Sequence, residues 1–117
     1  MKKITLILGV IINLSLSAQK RIEIRIKKII EVEKSYVFKF KNIKTKKTDY
    51  FFSYKKDSCD SGLKIQKGKK YNIVMFEVSI PHQNDGNTYL MEVGDFILPS
   101  HHSLYYSEFV KGLYVCQ

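Results

Sequence analysis

Two cysteines, three histidines and a set of clustered lysines are the residues of this chain best suited to chemistry, and their spacing narrows what that chemistry is. Cys59 and Cys116 do not form a C-x-x-C pair, so no thioredoxin-type redox centre is encoded. In an exported chain two cysteines most simply join as one disulfide, Cys59–Cys116; the other arrangements are two free thiols or pairing between molecules. An internal bridge of this span would stabilise the fold by about 4 kcal/mol through chain entropy. His82, His101 and His102 invite a metal, but neighbouring histidines on a strand point to opposite faces. No Cys/His spacing matches structural zinc, and Asp95 is the only nearby carboxylate. No metal or other cofactor is expected. Hydrolytic chemistry finds no G-x-S-x-G, and among Glu77, Asp85, Glu92 and Asp95 nothing singles out a pair for glycoside cleavage. A non-enzymatic protein is expected, with no catalytic residue.

The stretch SCDSGLKIQKGKKY, residues 58–71, has the glycines and lysines of a phosphate cradle. A P-loop, however, ends in Gly-Lys-Ser/Thr and opens a helix. Here Gly68-Lys69-Lys70 opens a strand, so Gly68 is expected to supply a positive φ at a turn. The lysines remain. Residues 20–72 hold 17 basic and 6 acidic side chains, whereas residues 73–117 hold 1 basic and 5 acidic. That asymmetry predicts one positive face. Lys39, Lys41, Lys44, Lys46, Lys47, Lys67, Lys69 and Lys70 are its candidate partner-binding residues, with Tyr50, Phe51 and Tyr54 interspersed. The partner class this implies is a protein or an acidic polysaccharide or other polyanion. Exposed rings among the lysines would instead suit single-stranded nucleic acid, which export disfavours. A merely solvated surface is the plain alternative.

The compartment comes from the first residues, MKKITLILGVIINLSLSAQ. Two lysines, an apolar run from Ile4 to Leu16 and small residues ending at Ala18 have the order of a secretory signal peptide. The apolar run is shorter than the roughly 20 residues needed to span a bilayer. Cleavage is expected after Ala18 or Ser17, giving a signal peptide over 1–18 and a single domain over 19–117, secreted or periplasmic. The alternative is an uncleaved N-terminal anchor.

The elements that must position these residues read as β-strands. Ile22, Ile24 and Ile26 alternate with Arg21, Glu23, Arg25 and Lys27, and the break at Lys28-Ile29 predicts a bulge or bend. Glu33-Lys34-Ser35 is a turn into Tyr36, Phe38 and Phe40. Tyr50–Tyr54, Tyr71–Ile80 and Tyr89–Val93 are further strands, the last two separated by the Asp85-Gly86 turn signal. Near the end, Ser103 is expected to cap a short helix carrying Leu104, Phe109 and Val110, with Gly112 as its stop. Leu113–Gln117 would then return as the closing strand. The expected class is all-β with small α content: a five- to six-stranded OB-like Greek-key barrel with one short C-terminal helix. A two-layer β-sandwich is the alternative.

Two patches carry a family likeness. Cys59, Gly62-Leu63 and Gly68-Lys69-Lys70-Tyr71-Asn72-Ile73 resemble the middle of a netrin-like module, as in the tissue inhibitors of metalloproteinases. Gly94-Asp95-Phe96-Ile97-Leu98-Pro99-Ser100, followed by Ser103-Leu104 and Gly112, resembles that family's strand, proline turn and short helix. The resemblance implies an OB-like barrel, non-enzymatic binding and, for some members, enzyme inhibition. The family usually carries about six cysteines, and the inhibitors' mature chain begins with one; this chain has two cysteines and would begin at Gln19 or Ala18.

Overall fold

The computed structural model describes residues 2–5, 19–78 and 89–116. Its framework begins with the isoleucine alternation. Strand β2 (Lys20–Glu31) buries Ile24 and Ile26 completely while Arg21, Glu23 and Lys27 stay exposed. It turns at residues 32–34 into β3 (Ser35–Asn42), and Val32 N–H donates to Ser35 O across the turn. The β2–β3 register skips from Ile26–Phe40 to Lys28–Lys39, so the bulge sits at Lys27, one residue before the expected break. An extra residue there lets β2 bend and serve two neighbours.

β2 pairs on its other side with β6 (Lys70–Glu77), and β3 pairs with β4 (Thr48–Tyr54). The circuit closes through β9 (Leu104–Tyr106), parallel to β4 and antiparallel to β6. The result is a closed barrel in the order β2-β3-β4-β9-β6. Two small sheets attach to it. One runs β1 (Lys2–Thr5), β7 (Tyr89–Val93) and β8 (Phe96–Ile97); the other runs β10 (Val110–Lys111), β11 (Tyr114–Cys116) and β5 (Gly62–Lys64). No helix occurs among the described residues, and none is long and apolar enough to cross a membrane.

Two expectations are corrected. The segment after Ser103 is strand, because Leu104 and Tyr106 alternate into the core, whereas Leu104, Phe109 and Val110 do not share a helical face. Ser103 caps nothing: its N–H donates to Asp49 Oδ1 and its carbonyl accepts from Tyr50 N–H, which docks β9 on β4. The barrel is closed by β9, and the last strand instead joins β5 and β10 in a side sheet. Of the expected signal peptide, residues 2–5 lie in β1, while the apolar run beyond them and the expected cleavage position fall outside the described residues, as do Pro81, His82 and the expected Asp85-Gly86 turn.

Both faces of the barrel wall are buried over much of its circumference. Ile24, Ile26, Phe38, Phe40, Phe51, Ile73 and Met75 lie on the face opposite the charged side chains of β2, which makes that face the lumen. Phe38 stacks on Phe51 at 4.5 Å between centroids. Ile65 and Val110 from the β5–β10–β11 side complete this cluster. Outside the wall, Val37, Tyr50, Phe52, Tyr54, Phe76 and Tyr106 pack beneath Val93, Phe96 and Leu98 from the β7–β8 side. Hence all of Tyr50–Tyr54 is buried.

The disulfide Cys59–Cys116 is formed, with the two Cα atoms 5.9 Å apart. It fixes the loop after β4 to β11. Gly62 makes that approach possible: a Cβ there would stand 2.8 Å from Val115 O and 3.1 Å from Cys59 Sγ. Gly68 adopts φ 87°, the left-handed turn conformation expected of it.

Candidate functional site: a basic face on β2, β3 and β6

The polar parity of β2 decides where the charge goes. Because residues directly opposite across antiparallel strands share a face, the pairs Arg25–Lys41 and Arg25–Lys70 set three cations in one row across β3, β2 and β6. The row spans two strand spacings, about 10 Å. Thr48 extends it on β4 as a neutral neighbour of Lys41. A second, shorter row pairs Lys28 with Lys39 beyond the bulge.

Two loops bring in the other lysines. The β3–β4 loop carries Lys44, Lys46 and Lys47, all exposed. Its shape is local: Asn42 Oδ1 accepts from the N–H groups of Lys44 (2.9 Å) and Thr45 (3.1 Å), an Asx turn, and Lys46 sits at φ 68°. Ile43 N–H anchors the loop to Glu23 O of β2. The β5–β6 turn carries Lys67 and Lys69, also exposed. Gly68 N–H donates to Ile26 O, Ile26 N–H donates to Lys69 O, and Arg25 Nη1 donates to Gly68 O at 2.8 Å. Tyr71 closes the turn from below, accepting Gln66 N–H and donating to Lys64 O.

Thus β2 residues 23–26 hold one basic loop on each flank: Lys41 and Lys70 stand beside a further cation, Arg25, with Lys44, Lys46 and Lys47 in the loop after Lys41, Lys67 and Lys69 in the turn before Lys70, and Lys39 beside Lys28. Among the described residues Lys55 forms an ion pair with Glu31, His102 Nδ1 lies 3.9 Å from Asp49 Oδ1, and neither contact uses the eight candidate lysines. Glu23, two residues from Arg25 on the same face, is the one acidic side chain set among the two rows. Arg25 escaped the sequence reading because strand alternation accounts for it as an ordinary outward residue. Only the register of two non-local pairings makes it central.

The interspersed rings are not part of this surface. Tyr50, Phe51 and Tyr54 are buried, so no aromatic platform for stacking bases lies between the lysines. The two described histidines form no joint site either. His101 is exposed in a turn at φ 66°, and His102 Nδ1 donates to Thr48 O at 2.6 Å while its ring meets Tyr50 edge-on. His82 lies outside the described residues. Among the described residues no group of three His, Cys, Asp or Glu side chains could hold a metal ion. On another side of the molecule, an open cleft of about 370 Å³ beside the disulfide is lined by residues of both signs, including Lys55, Asp57, Asp60 and Lys111, with Tyr36 and Tyr114.

No family model matches the chain, and no curated protein and no solved structure gives a significant match.

Proposed function

We propose that this protein is a secreted, non-enzymatic binding module of the OB type that holds an acidic polysaccharide or an acidic protein surface on its β2–β3–β6 face. The carrying observation is convergence: lysines from residues 39–47 and 67–70 meet around Arg25 with no carboxylate bridging them. Clustered, unneutralised cations on a rigid sheet attract anions at long range and hold them by many weak contacts. The OB reading is supported by strand order. β2, β3 and β4 follow one another, β6 returns beside β2 in the Greek-key manner, and β9 fills the remaining gap. The netrin resemblance rests on the Cys59–Ile73 patch, since the segment after Ser103 forms strands where that family has a helix. Export is supported by the leader-like first residues and by a disulfide, which is compatible with an oxidising compartment.

The test is retention of the protein on an immobilised polyanion such as dextran sulfate, eluted with sodium chloride. Retention at 0.05 M salt that falls steeply by 0.5 M is expected, because exposed charge contacts are screened. Flow-through at 0.05 M, or retention indifferent to salt, rejects the proposal.

A further inference from the structure

The cationic face has a direction. The β3–β4 loop lies past the Lys41 end of the row, anchored at Glu23, while the β5–β6 turn lies past the Lys70 end, anchored at Ile26. The two loops therefore sit at opposite corners, and a path from one to the other passes Lys41, Arg25 and Lys70 in turn. Arg25 is its midpoint, and it differs from its neighbours. Its Nη1 is already committed to Gly68 O, which fixes the guanidinium plane and leaves the remaining N–H donors of the fork to meet an oxyanion. The lysines on either side are mobile point charges.

Resting on the function proposed above, we infer that Arg25 is the anchoring residue of the face: it takes one carboxylate or sulfate group of a linear acidic polysaccharide that crosses the barrel diagonally, with the flanking lysines holding neighbouring anionic groups. A linear chain fits better than a lipid surface for two reasons. The row lies on the curved outer wall of a barrel, where a flat bilayer touches little of the diagonal. The exposed large apolar side chains (Leu63, Ile97, Phe109 and Tyr114) lie on β5, β8, β11 and the turn before β10, none of them on β2, β3 or β6, so the face offers nothing to insert among acyl chains. The carboxylate and sulfate sources share the forked geometry that arginine matches with two parallel hydrogen bonds.

The experiment compares the wild-type protein with Arg25→Lys, which keeps the charge and loses the fork. Binding to polygalacturonate (carboxylate) and to dextran sulfate (sulfate) is measured over a range of salt by calorimetry. Thermal melts confirm that the variant folds, and wild-type Arg25 side-chain NMR signals are followed in parallel. The expected result is a loss of tenfold or more in affinity for at least one polymer. The slope of log affinity against log salt should stay unchanged, since the charge count is unchanged, and the Arg25 signals should shift among the first in the titration. The polymer that loses more identifies the oxyanion read. Equal affinity of wild type and Arg25→Lys for both polymers, or Arg25 signals that stay still, overturns the inference while leaving the general basic-face function intact. If wild type binds neither polymer, the function itself fails. Arg25-dependent binding to phosphatidylglycerol vesicles without binding to either polymer also overturns the inference, in favour of a lipid surface.

Discussion

Tyr54 answers a question that its neighbours in the sequence leave open. It stands among lysines along the chain, and only 8% of it is exposed. Its hydroxyl is buried without a hydrogen-bond partner, which leaves a desolvation cost uncompensated. Burial above all, then the neighbouring Tyr106 and Asp57, push its phenol up to about 12. Tyr50, Tyr105 and Tyr106 are raised too, each chiefly by burial. Removing the hydroxyl should help the fold. Tyr54→Phe is expected to raise stability by about 1 kcal/mol, seen as a higher urea midpoint at pH 7 with an unchanged m-value. The same group gives an alkaline signature. The folded state holds these phenol protons more tightly than the unfolded chain, whose tyrosines titrate near 10. Their contribution is thus complete below about pH 10 and is lost as pH climbs towards 12. The advantage of Tyr54→Phe over wild type should widen between pH 9 and pH 11, measured as the difference in urea midpoints. A constant difference would show that the phenol does not titrate with unfolding.

Legibility at the level of elements follows the length of the alternation. β2, β3, β4 and β6 were readable because each runs for seven residues or more with isoleucine, tyrosine or phenylalanine in β-compatible positions. β5 is not legible in the sequence: Gly62, Leu63 and Lys64 give no periodic signal, and all three are exposed. β9 and β10 are equally short, and Ser103 and Gly112 imitated helix caps; what settles them as strands is pairing with β4, β6 and β11, which no local window contains. Such short strands need an external tie, and the β5–β11–β10 sheet has one in the Cys59–Cys116 bridge, closing 57 residues. Replacing both cysteines with serine should cost about 4 kcal/mol in chain entropy, read from urea unfolding. Hydrogen exchange should localise the effect. Amides of the side sheet and its anchors, such as Cys116 (to Phe109 O) and Ile65 (to Leu113 O), lose protection first. The β2–β3 hairpin keeps its protection until global unfolding. Uniform loss across both regions would mean that the bridge stabilises the whole barrel without singling out its weakest sheet.

For the whole molecule, the basic first half of the chain sets cations opposite one another on paired strands, and that has an energetic consequence. The sequence names eight lysines as candidates, but the cross-strand row through Arg25 depends on two registers it does not display. Like charges directly opposite one another destabilise a sheet, so Lys41–Arg25–Lys70 is a small standing cost to the fold, which a bound anion would relieve. Stability and binding should therefore respond oppositely to the same change. Lys41→Glu places a carboxylate opposite Arg25, turning a repulsive pair into an attractive one, and is expected to raise stability by roughly 0.2–1 kcal/mol. The same substitution subtracts two units of charge from the face and should weaken retention on a polyanion column. Added salt should act in the same opposed sense on wild type, screening the repulsion within the row while releasing the ligand. Thermal melts and salt elution of wild type and Lys41→Glu test both halves. If Lys41→Glu loses stability and binding together, the row supports the fold; if it gains stability and still binds as wild type does, the anion is held elsewhere on the molecule.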